Sequence, residues 1–284
     1  MTVPADTATD RMTTPRSTMS ARAVDAARAE GRAVLVGYLP VGFPDVAGSV
    51  AGARAMVAGG VDVVELGLPY SDPLMDGPVI QHAVDAALRA GTRTRDVLSA
   101  VEQVAATGAA VLVMTYWNPI DRYGVDRFAA DLASAGGAGL ITPDLIPDEA
   151  GEWLDASDAR DLERVFLVAP SSTDARLRST VAACRGWVYA ASTMGVTGVR
   201  SQVGDRAQSL VERTRAAGAD RVCVGLGVST RDQAATVAGY ADGVIVGSAF
   251  VRAHGEGGPA AVERLAAELA AGVRGGRSAR ASGP

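Results

Sequence analysis

The chain has 284 residues, 48% of them hydrophobic and 21% charged, a net charge of −5, and no lysine, so that all 27 basic residues are arginine. A Schiff-base aldolase, a pyridoxal-phosphate enzyme and a Walker-type phosphate loop each need a lysine amine at the reacting or binding centre, and all three are excluded. Two histidines (His82, His254) and two cysteines (Cys184, Cys223), in no ligand-like spacing, provide almost no material for a metal site, so chemistry falls to carboxylates, hydroxyls and backbone.

The length suits one α/β barrel of roughly 250 residues with short tails. A net negative charge gives no general basic surface for nucleic acid. No segment reaches the roughly 18 consecutive apolar residues that a membrane helix needs. Two cysteines 39 positions apart suggest a reduced, cytoplasmic protein without a disulfide framework, its cysteines and histidines structural or at the surface. Residues 1–20, rich in Thr, Ser and Pro, read as a disordered N-terminal extension, neither exported nor membrane-bound. Residues 21–273 form one domain, and 274–284 a flexible Gly/Ser/Arg tail.

In chain order, the first apolar run, Ala33 to Leu39, precedes an Ala-rich helical pattern from Ala47 to Ala58. Val61 to Leu66 is followed by the loop Leu68 to Val79 and by helices over Ile80 to Ala90 and Thr94 to Thr107. Strand-like runs at Ala110 to Met114, Gly139 to Thr142 and Val165 to Ala169 alternate with helices at Asp126 to Ala135, Asp148 to Ala156 and Leu177 to Ala183. Trp187 to Ala191, Arg221 to Val224 and Gly243 to Val246 complete eight strands, with helices at Ser209 to Ala217 and Arg231 to Ala238 between them. Each run is nearly continuous in hydrophobicity, as in a sheet covered on both faces, and eight strand–helix repeats predict a (β/α)8 TIM barrel. An open doubly wound sheet shares the alternation. Strand starts fall 20 to 35 residues apart except between the second and third, where 49 residues include a long loop, the usual mark of function on a barrel's C-terminal face.

Glu65 is a carboxylate inside the apolar strand Val63-Val64-Glu65-Leu66-Gly67. An acid facing the mouth of a barrel is desolvated, its pKa rises toward neutrality, and it can both give and take a proton. The loop Pro69 to Pro78 packs three prolines, two aspartates and a glycine into ten residues, stiff enough to hold a carboxylate over a site. Either Asp72 or Asp76 could face the substrate. Glycine-containing turns follow strand six (Gly195, Gly198), strand seven (Gly225, Gly227) and strand eight (Gly247-Ser248, opening a helix), which is where barrels bind phosphate on backbone N–H groups and a helix N-terminus. Tyr38, Tyr116, Asn118 and Tyr189, at other strand ends, would surround a planar apolar substrate.

Three blocks, Val64 to Gly67 continuing through Pro69-Tyr70-Ser71-Asp72-Pro73 and Asp76-Gly77-Pro78, then Tyr189 to Gly198, then Asp242-Gly243 through Ala249, together resemble the α subunit of tryptophan synthase over roughly residues 18 to 273. Pro40 and Thr193, where many members have threonine and arginine, look like the actinobacterial form. The resemblance implies a lyase that cleaves indole-3-glycerol phosphate to indole and glyceraldehyde 3-phosphate in L-tryptophan biosynthesis. It implies Glu65 as the acid/base, Asp76 as the aspartate that binds the indole N–H, and Tyr189 beside the glutamate. It further implies Tyr38, Ile80 and Tyr116 around the indole, Thr197 on a closing loop, and Gly198, Gly227, Gly247 and Ser248 at the phosphate. Asp72 is then a loop-shaping residue. The implied partner is a tryptophan synthase β subunit in an αββα heterotetramer, with pyridoxal phosphate in the β subunit and no cofactor or metal in this chain. A stand-alone lyase that releases free indole, and a catalytically weak regulatory subunit, are the other readings.

Overall fold

The computed structural model describes residues 18–192, 200–225 and 227–281. Eight parallel strands, β1 (Val34–Pro40), β2 (Val63–Gly67), β3 (Ala110–Met114), β4 (Gly139–Thr142), β5 (Glu163–Val168), β6 (Val188–Ala191), β7 (Val222–Gly225) and β8 (Gly243–Val246), close in sequence order. Val34 through Gly37 of β1 pair with Gly243 through Val246 of β8, so the sheet has no edge and the doubly wound alternative is excluded. The strands are buried on both faces, which accounts for their continuous hydrophobicity. Inward side chains such as Val36, Val63, Leu112, Trp187 and Ile245 form one cluster, and outward ones such as Leu35, Val64 and Val111 pack with the helices in a second.

The helices are α1 (Met19–Ala29), α2 (Val46–Ala58), α3 (Pro78–Arg89), α4 (Thr94–Ala105), α5 (Trp117–Tyr123), α6 (Val125–Ser134), α7 (Gly151–Asp158), α8 (Asp174–Ala183), α9 (Arg200–Ala216), α10 (Arg231–Ala238) and α11 (Ser248–Ala281). A kink at Gly258, φ 61° and ψ −161°, breaks α11 just before Pro259. None of the helices among the described residues is long and apolar enough to cross a membrane.

Three helical features depart from the sequence expectation. α1 begins inside the range assigned to the N-terminal extension, because the Glu163 carboxylate, 143 residues away, accepts the backbone N–H of Ser20 at 2.8 Å. That capping partner comes from β5, so local sequence carries no sign of it. α5 starts where the Trp117 N–H meets the Asp144 carboxylate at 3.0 and 3.1 Å, again a distant cap. α11 continues to Ala281, beyond the expected start of the tail at 274; its turns through Leu269 and Val273 are buried, and extension from a packed helix adds one hydrogen bond per residue without a new nucleation cost.

Candidate active site

Pairing between neighbouring strands fixes the heights of the inward side chains. Tyr38 of β1 is level with Glu65 of β2, and Glu65 with Leu112 of β3. Glu65 is fully buried, and neither of its carboxylate oxygens has a hydrogen-bond partner among the described residues. Burial without a compensating donor raises its pKa from 4.5 to about 8, so the side chain is an uncharged acid at neutral pH.

Above it opens a cavity of about 290 Å³ at the C-terminal end of the barrel, lined by Tyr38, Glu65, Asp76, Ile80, Tyr189, Gly227, Gly247 and Ser248 together with Met75, Met114, Pro143, Leu167, Gly225 and Ile245. Nine of the residues singled out in the sequence, these first eight and Gly225, therefore converge on one space. Thr197 and Gly198 lie outside the described residues, as does Thr193. Asp72 is not part of the cavity wall: it is exposed and accepts a hydrogen bond from Ser71 Oγ at 2.6 Å, which leaves Asp76 as the loop carboxylate at the site.

Tyr116 lies next to this cavity. It sits behind the main cavity, bordering a small adjoining space with Tyr38 and Asp76, and its Oη accepts the backbone N–H groups of Leu74 at 3.0 Å and Met75 at 2.9 Å. Its ring lies against Tyr70, with centroids 5.3 Å apart. The side chain thus ties the β2–α3 loop to the end of β3. Partial burial raises the Asp76 pKa, and the hydrogen bond from the Tyr116 hydroxyl opposes that rise by favouring the anion. The two site carboxylates therefore have different surroundings: Glu65 has only desolvation, whereas Asp76 has a hydroxyl partner.

Glycines at strand ends give the two inward tyrosines their space. A Cβ on Gly67 would lie 2.4 Å from Tyr38 Oη, and one on Gly225 would lie 2.6 Å from Tyr189 Oη, both closer than packed atoms allow. Burial, then the proximity of Asp76 and Glu65 for Tyr38 and of Glu65 for Tyr189, raises both phenol pKa values, so both hydroxyls stay protonated. Between the two tyrosines, at the ends of β7 and β8, Gly227 takes φ +64°, and β8 passes through Gly247 into the first turn of α11 at Ser248. Among the described residues the cavity lining holds no arginine, so an anion there would be received by backbone N–H groups and the helix N-terminus. Met114, Pro143, Leu167 and Ile245 are the wall residues that sequence reading missed. Three of them could have been found from strand alternation, since Met114, Leu167 and Ile245 sit two residues beyond inward Leu112, Val165 and Gly243.

Arranged this way, the cavity offers a neutral acid at its floor, a carboxylate on its rim, apolar wall residues such as Ile80, Leu167 and Ile245, and glycine-rich strand ends leading into a helix N-terminus. Among the described residues, no group of three or more His, Cys, Asp or Glu side chains is placed to hold a metal ion.

Residues 24–274 match the family model described as tryptophan synthase alpha chain. The tryptophan synthase alpha chain of Acidothermus cellulolyticus is 63% identical over 250 residues, covering 87% of this chain and 94% of the relative. That of Thermobifida fusca is 62% identical over 265 residues, covering 90% and 98%. Among solved structures, Mycobacterium tuberculosis tryptophan synthase superposes with a TM-score of 0.86 at 58% identity, covering 91% of this chain and 99% of that one. Tryptophan synthase subunit alpha from Legionella pneumophila gives 0.82 at 30% identity, covering 92% and 99%. With site geometry, family match and near full-length relatives in agreement, the chain belongs to the tryptophan synthase alpha chain family.

Proposed function

We propose that Glu65 and Asp76 carry out the retro-aldol cleavage of indole-3-glycerol phosphate to indole and glyceraldehyde 3-phosphate. The chain is a lyase of L-tryptophan biosynthesis and works with a tryptophan synthase β subunit. Glu65, protonated at neutral pH, donates its proton to indole C3. The positive charge that this places on the ring nitrogen is stabilised by the Asp76 carboxylate, an electrostatic contribution made only once charge develops. The Glu65 carboxylate so formed then takes the proton from the hydroxyl on the adjacent glycerol carbon. The carbon–carbon bond breaks, its electrons neutralise the ring, and the aldehyde forms, with no net gain or loss of protons. No lysine amine is required, in keeping with a lysine-free chain.

Tyr189 flanks Glu65, Tyr38 and Ile80 hold the indole, and Gly227, Gly247 and Ser248, with Gly198 and Thr197 of the loop after β6, receive and enclose the phosphate. Tyr116 borders the indole beside Tyr38, and its hydroxyl holds the loop that carries Asp76. The observation that carries this reading is the buried Glu65 carboxyl, without a hydrogen-bond partner among the described residues, facing a cavity whose rim holds Asp76. Leu74 and Met75, 80% and 47% exposed on the same loop, give the β subunit an apolar surface next to the site. In the αββα assembly that we envisage, pyridoxal phosphate belongs to the β subunit. The catalytic unit is the barrel of residues 21–273, with Met19 and Ser20 joined to it through Glu163. Two free cysteines, Cys184 and Cys223, support a reducing, cytoplasmic setting.

An indole-release assay on the purified chain, with and without a β subunit, tests this reading. Indole and glyceraldehyde 3-phosphate should appear in equal amounts, faster with the partner present. Absence of indole under both conditions would overturn it.

A further inference from the structure

Tyr189 is held from below. Its ring packs on that of Trp187, two residues earlier on the same strand, with centroids 5.9 Å apart and planes at 31°. The tip of Tyr189 is confined over Gly225, where a Cβ would fall 2.6 Å from its Oη, and the ring itself rests on Trp187. Trp187 is 1% exposed and lines no part of the catalytic cavity. Its indole Nε1–H donates to Ser20 Oγ at 2.9 Å, across 167 residues of sequence.

Ser20 is anchored in turn. Its hydroxyl donates to the Glu163 carboxylate, and that carboxylate also accepts the backbone N–H of Ser20 at 2.8 Å and of Ala21 at 3.3 Å. Glu163 is completely buried and these donors satisfy it. The rest of α1 is tied to the same end of the barrel: Arg221 holds Asp25 with two hydrogen bonds of 2.8 and 2.6 Å, and Arg28 reaches the Asp220 carbonyl at 2.7 Å and Asp242 at 3.2 Å. Val24 and Ala27 complete the contact, packing into the inner cluster to which Trp187 belongs and on which Tyr189 rests. A continuous column of packed and hydrogen-bonded groups runs from the floor of the barrel to its mouth.

We propose that Trp187, fixed by Ser20 and Glu163, is a positioning residue that sets the Tyr189 ring beside Glu65, so that the helix closing the N-terminal end of the barrel supports the reaction at the C-terminal end. The proposal rests on the reading of Tyr189 as a member of the site. Trp187 touches no substrate and acts only through Tyr189, which makes it testable by a double-mutant cycle.

The cycle uses Trp187→Leu, Tyr189→Leu and the double variant, each saturated with β subunit, with kcat and KM measured for indole release. Trp187→Leu should lower kcat about tenfold with KM within about twofold, and should cost less than about twofold more in the Tyr189→Leu background. Trp187→Phe, which keeps a ring under Tyr189, should recover most of the lost kcat. Ser20→Ala keeps both rings and the core volume, and decides the question by the same cycle if Trp187→Leu does not fold. Equal effects of Trp187→Leu, or of Ser20→Ala in its place, in the two backgrounds would overturn the proposal while leaving the role of Tyr189 intact. Parental turnover by Tyr189→Leu would overturn both.

Discussion

Replacing Glu65 with Gln preserves side-chain shape and removes the titrating proton. In the unfolded chain this carboxyl titrates near 4.5; in the folded chain, burial raises it to about 8. Between those values the folded protein keeps a proton that the unfolded protein has released, so rising pH favours unfolding and the parent loses stability through that window. At about 1.4 kcal/mol per pH unit, and allowing for partial titration at both ends, the loss between pH 5 and pH 8 is about 3.5 kcal/mol. Gln has no proton to lose, so any cost of its own buried amide is constant with pH. The Glu65→Gln protein should therefore gain about 3.5 kcal/mol on the parent from pH 5 to pH 8, or roughly 7–14 °C in melting temperature at about 2–4 °C per kcal/mol for a chain of this size. Thermal unfolding of both proteins at several pH values, followed by circular dichroism, measures the difference. A melting-temperature gap that stays constant from pH 5 to pH 8 would refute the claim that Glu65 is a desolvated acid.

The same carboxyl sets the pH dependence of catalysis: the protonated form is the active one, so kcat/KM should fall as pH rises through about 8, and a profile flat from pH 7 to 9 would contradict the assignment. Asp76→Asn should lower kcat by at least about tenfold, because a neutral amide stabilises the cationic ring poorly; a smaller loss in the indole-release assay would move the role to another acid. Tyr116→Phe leaves the N–H groups of Leu74 and Met75 without their acceptor, and should cost about 1 kcal/mol of stability by chemical denaturation while raising KM as the Asp76 loop loosens. Gly67→Ala places a Cβ 2.4 Å from Tyr38 Oη, so the ring must swing into the cavity; the expected result is a higher KM and about 1–3 kcal/mol of lost stability.

Much of this was legible in the sequence because the fold imposes strong local patterns. Strands buried on both faces must be continuously apolar, and β3, β4 and β8 coincide with the runs Ala110 to Met114, Gly139 to Thr142 and Gly243 to Val246. A carboxylate interrupting such a run, as Glu65 does, stands out on physical grounds alone. The features that local sequence does not reveal depend on distant partners. The caps of α1 and α5 come from Glu163 and Asp144, and no local pattern reveals them. That the Tyr116 hydroxyl accepts two backbone N–H groups of another loop is likewise a tertiary arrangement that no local pattern reveals. Residue pattern alone leaves Asp72 and Asp76 open and the family resemblance favours Asp76; in the structure the loop turns Asp72 to Ser71 and solvent.

The central claim is that Glu65 performs the proton transfers of cleavage and contributes little to substrate affinity. Single-turnover indole release by Glu65→Gln, with saturating indole-3-glycerol phosphate and β subunit, tests it most directly when paired with the dissociation constant of the substrate for the same variant. The account predicts that indole formation is abolished while the dissociation constant stays within about threefold of the parent's. Indole release at a near-parental rate would contradict it.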